Sequence, residues 1–109
     1  MNILVKKEAI QMEIISPDIL EQYMYRRDTL IIDLRSKKEY EKYHVPGAYH
    51  IDYEDAPALF SLPKEKTIIL YCERGASSLV RARELEKRGY RVKSLAGGVH
   101  GWQERKTAR

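Results

Sequence analysis

Residues 67–77 read Thr67-Ile-Ile-Leu-Tyr-Cys-Glu-Arg-Gly-Ala-Ser77, and the fold turns on this stretch. The five residues Thr67–Tyr71 are β-branched, apolar or aromatic, the composition of a strand covered on both faces. The strand stops at Cys72, the only cysteine of the chain. A turn containing Gly75 follows, then Ser77-Ser78 and a helix through Arg88. In that helix Leu79, Ala82 and Leu85 recur at inner-face spacing, and Gly89 supplies the terminator. A strand that runs through a short loop into a helix is the repeating unit of a parallel sheet.

The same unit recurs on either side. Upstream, Met12–Ile15 reads as a first strand. Ser16 is an N-cap with Pro17 at the first helical position, and Pro17–Tyr25 carries Ile19, Leu20 and Tyr23 at helical spacing. Leu30–Leu34 is a second apolar strand. Ser36–Tyr43 is a short helix in which Ser36 and Glu39 form a capping box. Pro46-Gly47 breaks the chain before a brief strand at Ala48–Ile51, and residues 53–61 read as a helix broken around Pro57. Downstream, Arg91–Leu95 is a last strand, Gly97-Gly98 a turn, and Trp102 lies in a short terminal helix. The tail Arg105–Arg109 is polar and expected to fray. Five short parallel strands with helices on both faces follow, an α/β architecture.

The 109 residues fit one domain spanning 1–109, with the informative motifs at about 12–104. Hydrophobic residues at 43% and charged residues at 33% suit a folded, water-facing domain. No apolar run approaches the ~20 residues that span a bilayer. The opening MNILVKKEAIQMEIIS lacks the pattern of a secretory leader, and a lone cysteine suits a reducing compartment, so a cytoplasmic location is expected. Twenty basic and sixteen acidic residues give +4, unevenly placed. Residues 1–71 carry 10 basic and 12 acidic side chains (−2), and residues 72–109 carry 10 and 4 (+6). Cys72 heads the positive segment. The basic half suits an anionic substrate or an acidic partner. Nucleic acid is disfavoured, because the chain has no recognised binding motif and no run in which basic and aromatic residues interleave.

Ligands of open α/β sheets gather at the carboxyl ends of the strands, where Cys72 stands. A short loop curling around the sulfur turns its backbone N–H groups inward as an anion-binding nest, and the following helix adds its positive end. Thiolate is then favoured over thiol, and thiolate is the nucleophile. Glu73, Arg74, Gly75, Ala76, Ser77 and Ser78 are the candidate substrate-binding residues. Asp33 and Arg35, at the end of another strand on the same edge, are candidate supports. His44, His50 and His100 are scattered and form no triad; no metal or cofactor is expected. A Cys-x5-Arg phosphate loop is excluded, since Ser78 stands where that arginine would be.

These residues resemble the rhodanese-like sulfurtransferases. Ile32-Asp33-Leu34-Arg35 is similar to the family's strand-end Asp-x-Arg, and His44-Val45-Pro46-Gly47-Ala48 to its His-x-Pro-Gly-Ala segment. Cys72–Ser77 is similar to its six-residue active-site loop, and Gly89-Tyr90, Leu95-Ala96-Gly97-Gly98 and Trp102 to its closing signature. The resemblance implies that Cys72 takes the outer sulfur of a donor such as thiosulfate as a persulfide and passes it to a thiol or cyanide. Arg74 matches a position that is often basic in thiosulfate-using members. Glu73 stands where some members carry arginine, and Arg81 where relatives commonly have a small residue. The alternative is a carrier module that delivers persulfide sulfur to a partner, which the basic segment suits if that partner is an acidic sulfur-carrier protein.

Overall fold

The computed structural model describes residues 12–108, with side chains to Arg105. The segment 1–11, read above for a leader, lies outside the described residues. Five strands form one sheet: β1 (Glu13–Ile15), β2 (Thr29–Asp33), β3 (Tyr49–His50), β4 (Thr67–Tyr71) and β5 (Arg91–Leu95). All pairings are parallel, in the order β1-β5-β4-β2-β3. The helices are α1 (Pro17–Tyr23), α2 (Lys37–Lys42), α3 (Ala56–Leu59), α4 (Ala76–Lys87) and α5 (Gly98–Ala108).

Strand alternation divides the core between two faces. Ile31, Ile69, Tyr71 and Leu95 point to one side, where Leu20 of α1 and Val99 and Trp102 of α5 cover them. Ile32, Ile68, Leu70 and Val92 point to the other, against Leu59 of α3 and Ala82 and Leu85 of α4. β4, central and fully buried along Ile68–Tyr71, carries its carboxyl end to Cys72.

Local sequence explains most boundaries. Ser16 and Ser36 cap α1 and α2 by accepting from the N–H groups of Ile19 and Glu39. The Glu39 carboxylate, expected to complete a capping box, lies instead 3.9 Å from both Arg35 and Lys42. Pro57 does not break a helix over 53–61. It occupies the first turn of the four-residue α3, whose cap is Asp55. The inner stripe of α4 is Ser78, Ala82 and Leu85, with a buried serine in the place expected for Leu79. The tail does not fray at Arg105: α5 continues to Ala108, and the Arg105 guanidinium reaches Asp18, at 2.7 Å, and Glu21 on α1. No described helix is long and apolar enough to cross a membrane.

Tyr71 ties the two halves of the sheet together. Its buried hydroxyl accepts from Val45 N–H at 3.0 Å and feels the Asp33 charge. Burial, reinforced by the Asp33 charge, holds its phenol proton far above the usual tyrosine range. A folded-state pKa above the unfolded one contributes stability that is whole below pH about 10 and is lost as pH rises beyond it. Urea titrations from pH 7 to 11 will therefore show stability falling above pH 10. Tyr71→Phe will fall less steeply, after losing about 1–3 kcal/mol at neutral pH from the unpaired Val45 N–H.

Candidate active site

β4 delivers Cys72 to the carboxyl edge of the sheet, 7% exposed. Its Sγ accepts two backbone hydrogen bonds, from Gly75 N–H at 3.1 Å and from Ser78 N–H at 3.3 Å. The loop closes this tightly because Gly75 adopts φ +109°. A side chain there would be strained, and its Cβ would stand 3.2 Å from the Gly97 nitrogen. Gly75 is also the N-cap of α4, with no side-chain cap bond. Ser77 and Ser78 therefore lie inside the first turn rather than capping it. The positive end of a twelve-residue helix is thus aimed at the sulfur.

A hydroxyl pair lies behind the thiol. Ser78 Oγ is 3.6 Å from Sγ, 3.2 Å from the Gly75 carbonyl and 2.8 Å from Ser94 Oγ on β5. Both serines are buried. Each hydroxyl has one proton and can also accept. When Ser94 donates to Ser78, the Ser78 proton is left for the Gly75 carbonyl or for a sulfur anion at Cys72.

The front of the loop is held by α5. Val99 N–H donates to the Cys72 carbonyl at 2.9 Å and His100 N–H to the Glu73 carbonyl at 3.3 Å. In a trans peptide the N–H opposes its carbonyl, so the Glu73 and Arg74 N–H groups point away from α5. Gly98 makes this approach possible. A Cβ at Gly98 would meet the Cys72 oxygen at 2.5 Å and the Glu73 carbonyl carbon at 2.6 Å.

Asp33 and Arg35 form a buried pair beside the loop. Asp33 accepts from the Arg35 N–H at 2.8 Å and from its guanidinium at 2.8–3.2 Å. Burial opposes the Arg35 charge, but Asp33 outweighs it and the guanidinium is held more firmly protonated than usual. Arg35 also donates to the Tyr43 carbonyl and lies 3.8 Å from Glu73. Glu73 is bound on its other side by His100 Nε2 at 2.6 Å. Its carboxylate is thus shared by two side chains of the protein.

Cys72, Gly75 and Ser78 come together at the sulfur; Ala76 and Ser77 are exposed on the first turn of α4. Arg74 is exposed, with no ion pair among the described residues. Asp33 organises Arg35, and through Arg35 it reaches the loop at Glu73. His44 stacks on Tyr40 at 3.8 Å and bonds its carbonyl, away from the sulfur. Trp102 is buried, with its indole N–H on Tyr43 Oη. Arg81 clamps the segment after β3, bonding the Tyr53 carbonyl and lying over the Tyr53 ring. The sequence reading missed Ser94 and His100. The available signal for Ser94 was a small polar residue two positions from Val92, on the same inward face of β5; nothing local marked His100. No group of three His, Cys, Asp or Glu suited to a metal occurs among the described residues.

The family model for the Rhodanese-like domain matches residues 16–105. The chain is 43% identical over 72 residues to a tRNA sulfurtransferase of Desulfurococcus amylolyticus, a match covering 66% of this chain and 14% of that protein. The chain thus spans about one-seventh of the length of such relatives. It is 34% identical over 80 residues to the thiosulfate sulfurtransferase GlpE of Coxiella burnetii, covering 72% of this chain and 75% of that one. Its backbone matches the Rhodanese-like Domain Protein from Staphylococcus aureus with TM-score 0.74 at 27% identity, covering 84% and 91% of the two chains.

Gly98→Ala will destabilise the protein by about 2–4 kcal/mol in urea denaturation, because the new methyl group meets backbone that cannot yield. Ser78→Ala will slow alkylation of Cys72 by iodoacetamide about tenfold at neutral pH, the effect of losing one hydrogen bond to an anion. Ser94→Ala will slow it by a smaller factor, because Ser94 acts through Ser78.

Proposed function

The chain belongs to the rhodanese-like domain family, and we propose on that premise that it transfers sulfane sulfur through a persulfide on Cys72. The observation that carries the reading is the pair of backbone N–H groups on Sγ, from Gly75 and Ser78, at the positive end of α4. Such donors stabilise a sulfur anion without any side chain having to ionise.

The Cys72 thiolate attacks the outer sulfur of a donor such as thiosulfate. A new S–S bond forms at Cys72, the S–S bond of the donor breaks, and sulfite leaves with the electron pair. Negative charge passes from Sγ to the outer sulfur of the persulfide. An acceptor thiolate or cyanide then attacks that outer sulfur, and Cys72 departs as thiolate, ready for another cycle. No net oxidant or reductant is consumed.

Arg74 suits an anionic donor, being exposed and without an ion pair among the described residues. Glu73 beside it is engaged by Arg35 and His100, which lessens its repulsion of a dianion. The likeness to a thiosulfate sulfurtransferase supports thiosulfate as the donor. The higher identity to tRNA sulfurtransferases, of which the matched region is a small part, supports a second reading in which the domain hands its sulfur to a macromolecular acceptor.

Intact-protein mass spectrometry after incubation with thiosulfate tests the chemistry. A species heavier by one sulfur atom, removed by cyanide and absent from Cys72→Ser, is the expected result; no adduct on the wild-type protein contradicts the thiosulfate step. Arg74→Ala will raise KM for thiosulfate about tenfold with kcat little changed. Fast turnover with cyanide favours the stand-alone enzyme, and slow turnover favours the carrier.

A further inference from the structure

The amino-terminal edge of the sheet, opposite Cys72, holds two adjoining hollows of about 260 and 360 Å³ that share Tyr23 and Arg26. Arg27 and Lys66 line the first, and Arg91 and Lys93 the second. Among the described acids, Asp28 pairs with Arg26 and Glu13 with Lys93. Arg27, Lys66 and Arg91 have no acid side chain against them among the described residues, and Arg91 donates to the Glu65 carbonyl. The edge therefore carries an excess of about three positive charges.

Tyrosines are interleaved with these cations. Tyr25 is 76% exposed and Tyr49 62% exposed, an unusual condition for such large rings. Tyr25 is also the one non-glycine residue at positive φ among the described residues, at +67°. Backbone strain of this kind persists where surrounding structure imposes it, and it gathers at functional sites. Its ring lies over Gly47, where a side-chain Cβ would stand 3.3 Å from the ring. Tyr23 is flanked by Arg26 at 5.2 Å and Lys93 at 5.5 Å. Cations spaced along a groove, with exposed aromatic rings between them, are the two components of sequence-tolerant single-strand binding.

We propose that this edge is a docking surface for single-stranded nucleic acid, with phosphates on Arg27, Lys66 and Arg91 and bases stacked on Tyr25 and Tyr49. The residues come from separate parts of the chain (23–27, 47–49, 66 and 91–93), so basic and aromatic groups interleave in space without doing so in sequence. β4 separates the Thr67 end of the groove from the thiol by about 16 Å, five residues of extended chain. Tyr49 on β3 stands level with Ile32 and Leu70, two strands to the side of β4. The groove is an anchor, not part of the sulfur-transfer site. The inference does not depend on the persulfide chemistry.

Fluorescence anisotropy of the full chain with a labelled, unstructured 12-nucleotide RNA tests the inference. Three phosphate contacts give a slope of about −2 in log affinity against log salt. Arg27→Glu with Lys66→Glu will weaken binding at least tenfold and flatten that slope by about 1.4. Tyr25→Ala and Tyr49→Ala will each weaken RNA binding about tenfold while leaving polyglutamate binding unchanged. Absence of RNA binding at 25 mM salt overturns the proposal. So does equal affinity for RNA and polyglutamate, or indifference to both tyrosine substitutions, either of which makes the edge a surface for acidic protein. Unchanged iodoacetamide reactivity of Cys72 will show that each variant is folded.

Discussion

The site depends on one contact, the seating of the α5 N-terminus on the first two carbonyls of the Cys72 loop. Val99 and His100 donate to the Cys72 and Glu73 oxygens, and this contact fixes the orientation of both peptides. The same contact serves α5, because the first N–H groups of a helix have no partner within it. Gly98 permits the approach, since any Cβ there would overlap loop backbone. The loop is thus clamped between two helices. α5 takes its carbonyls, and the first turn of α4 supplies the Ser78 N–H to the sulfur.

The electrostatics follow from that clamp. The protein presents backbone donors to Sγ and keeps most nearby side-chain charges engaged elsewhere. Asp33 is bound to Arg35, and Glu73 is shared between Arg35 and His100. Arg74 alone of the loop's charged side chains faces solvent without an ion pair among the described residues. Fixed dipoles serve a reacting anion better than mobile charges, since they need no reorganisation as negative charge develops or shifts.

Much of this was legible in the sequence, for specific physical reasons. Thr67–Tyr71 and Arg91–Leu95 were read with the bounds they have in the fold: the first is a nearly continuous apolar run buried on both faces, and the second lies between the Gly89 helix terminator and the Gly97-Gly98 turn. The placement of Cys72 at the carboxyl edge followed from strand–loop–helix order. The start of α4 lies one residue before Ser77, because its cap is Gly75 in the left-handed region, which carries no capping side chain to mark it. Ser94 and His100 were missed because their roles depend on β5 and α5 lying beside the loop, contacts separated by sixteen and twenty-seven residues. Pairings of that kind are set by tertiary packing, and no local periodicity records them.

The central claim is that the Cys72 loop is built to receive a sulfur anion beyond Sγ. A high-resolution crystal structure of the protein after exposure to thiosulfate tests it most directly. The account predicts an added sulfur bonded to Sγ at about 2.05 Å, turned into the loop and within hydrogen-bonding range of its backbone N–H groups. An added sulfur directed into solvent, with those N–H groups still engaged on Sγ alone, would contradict it.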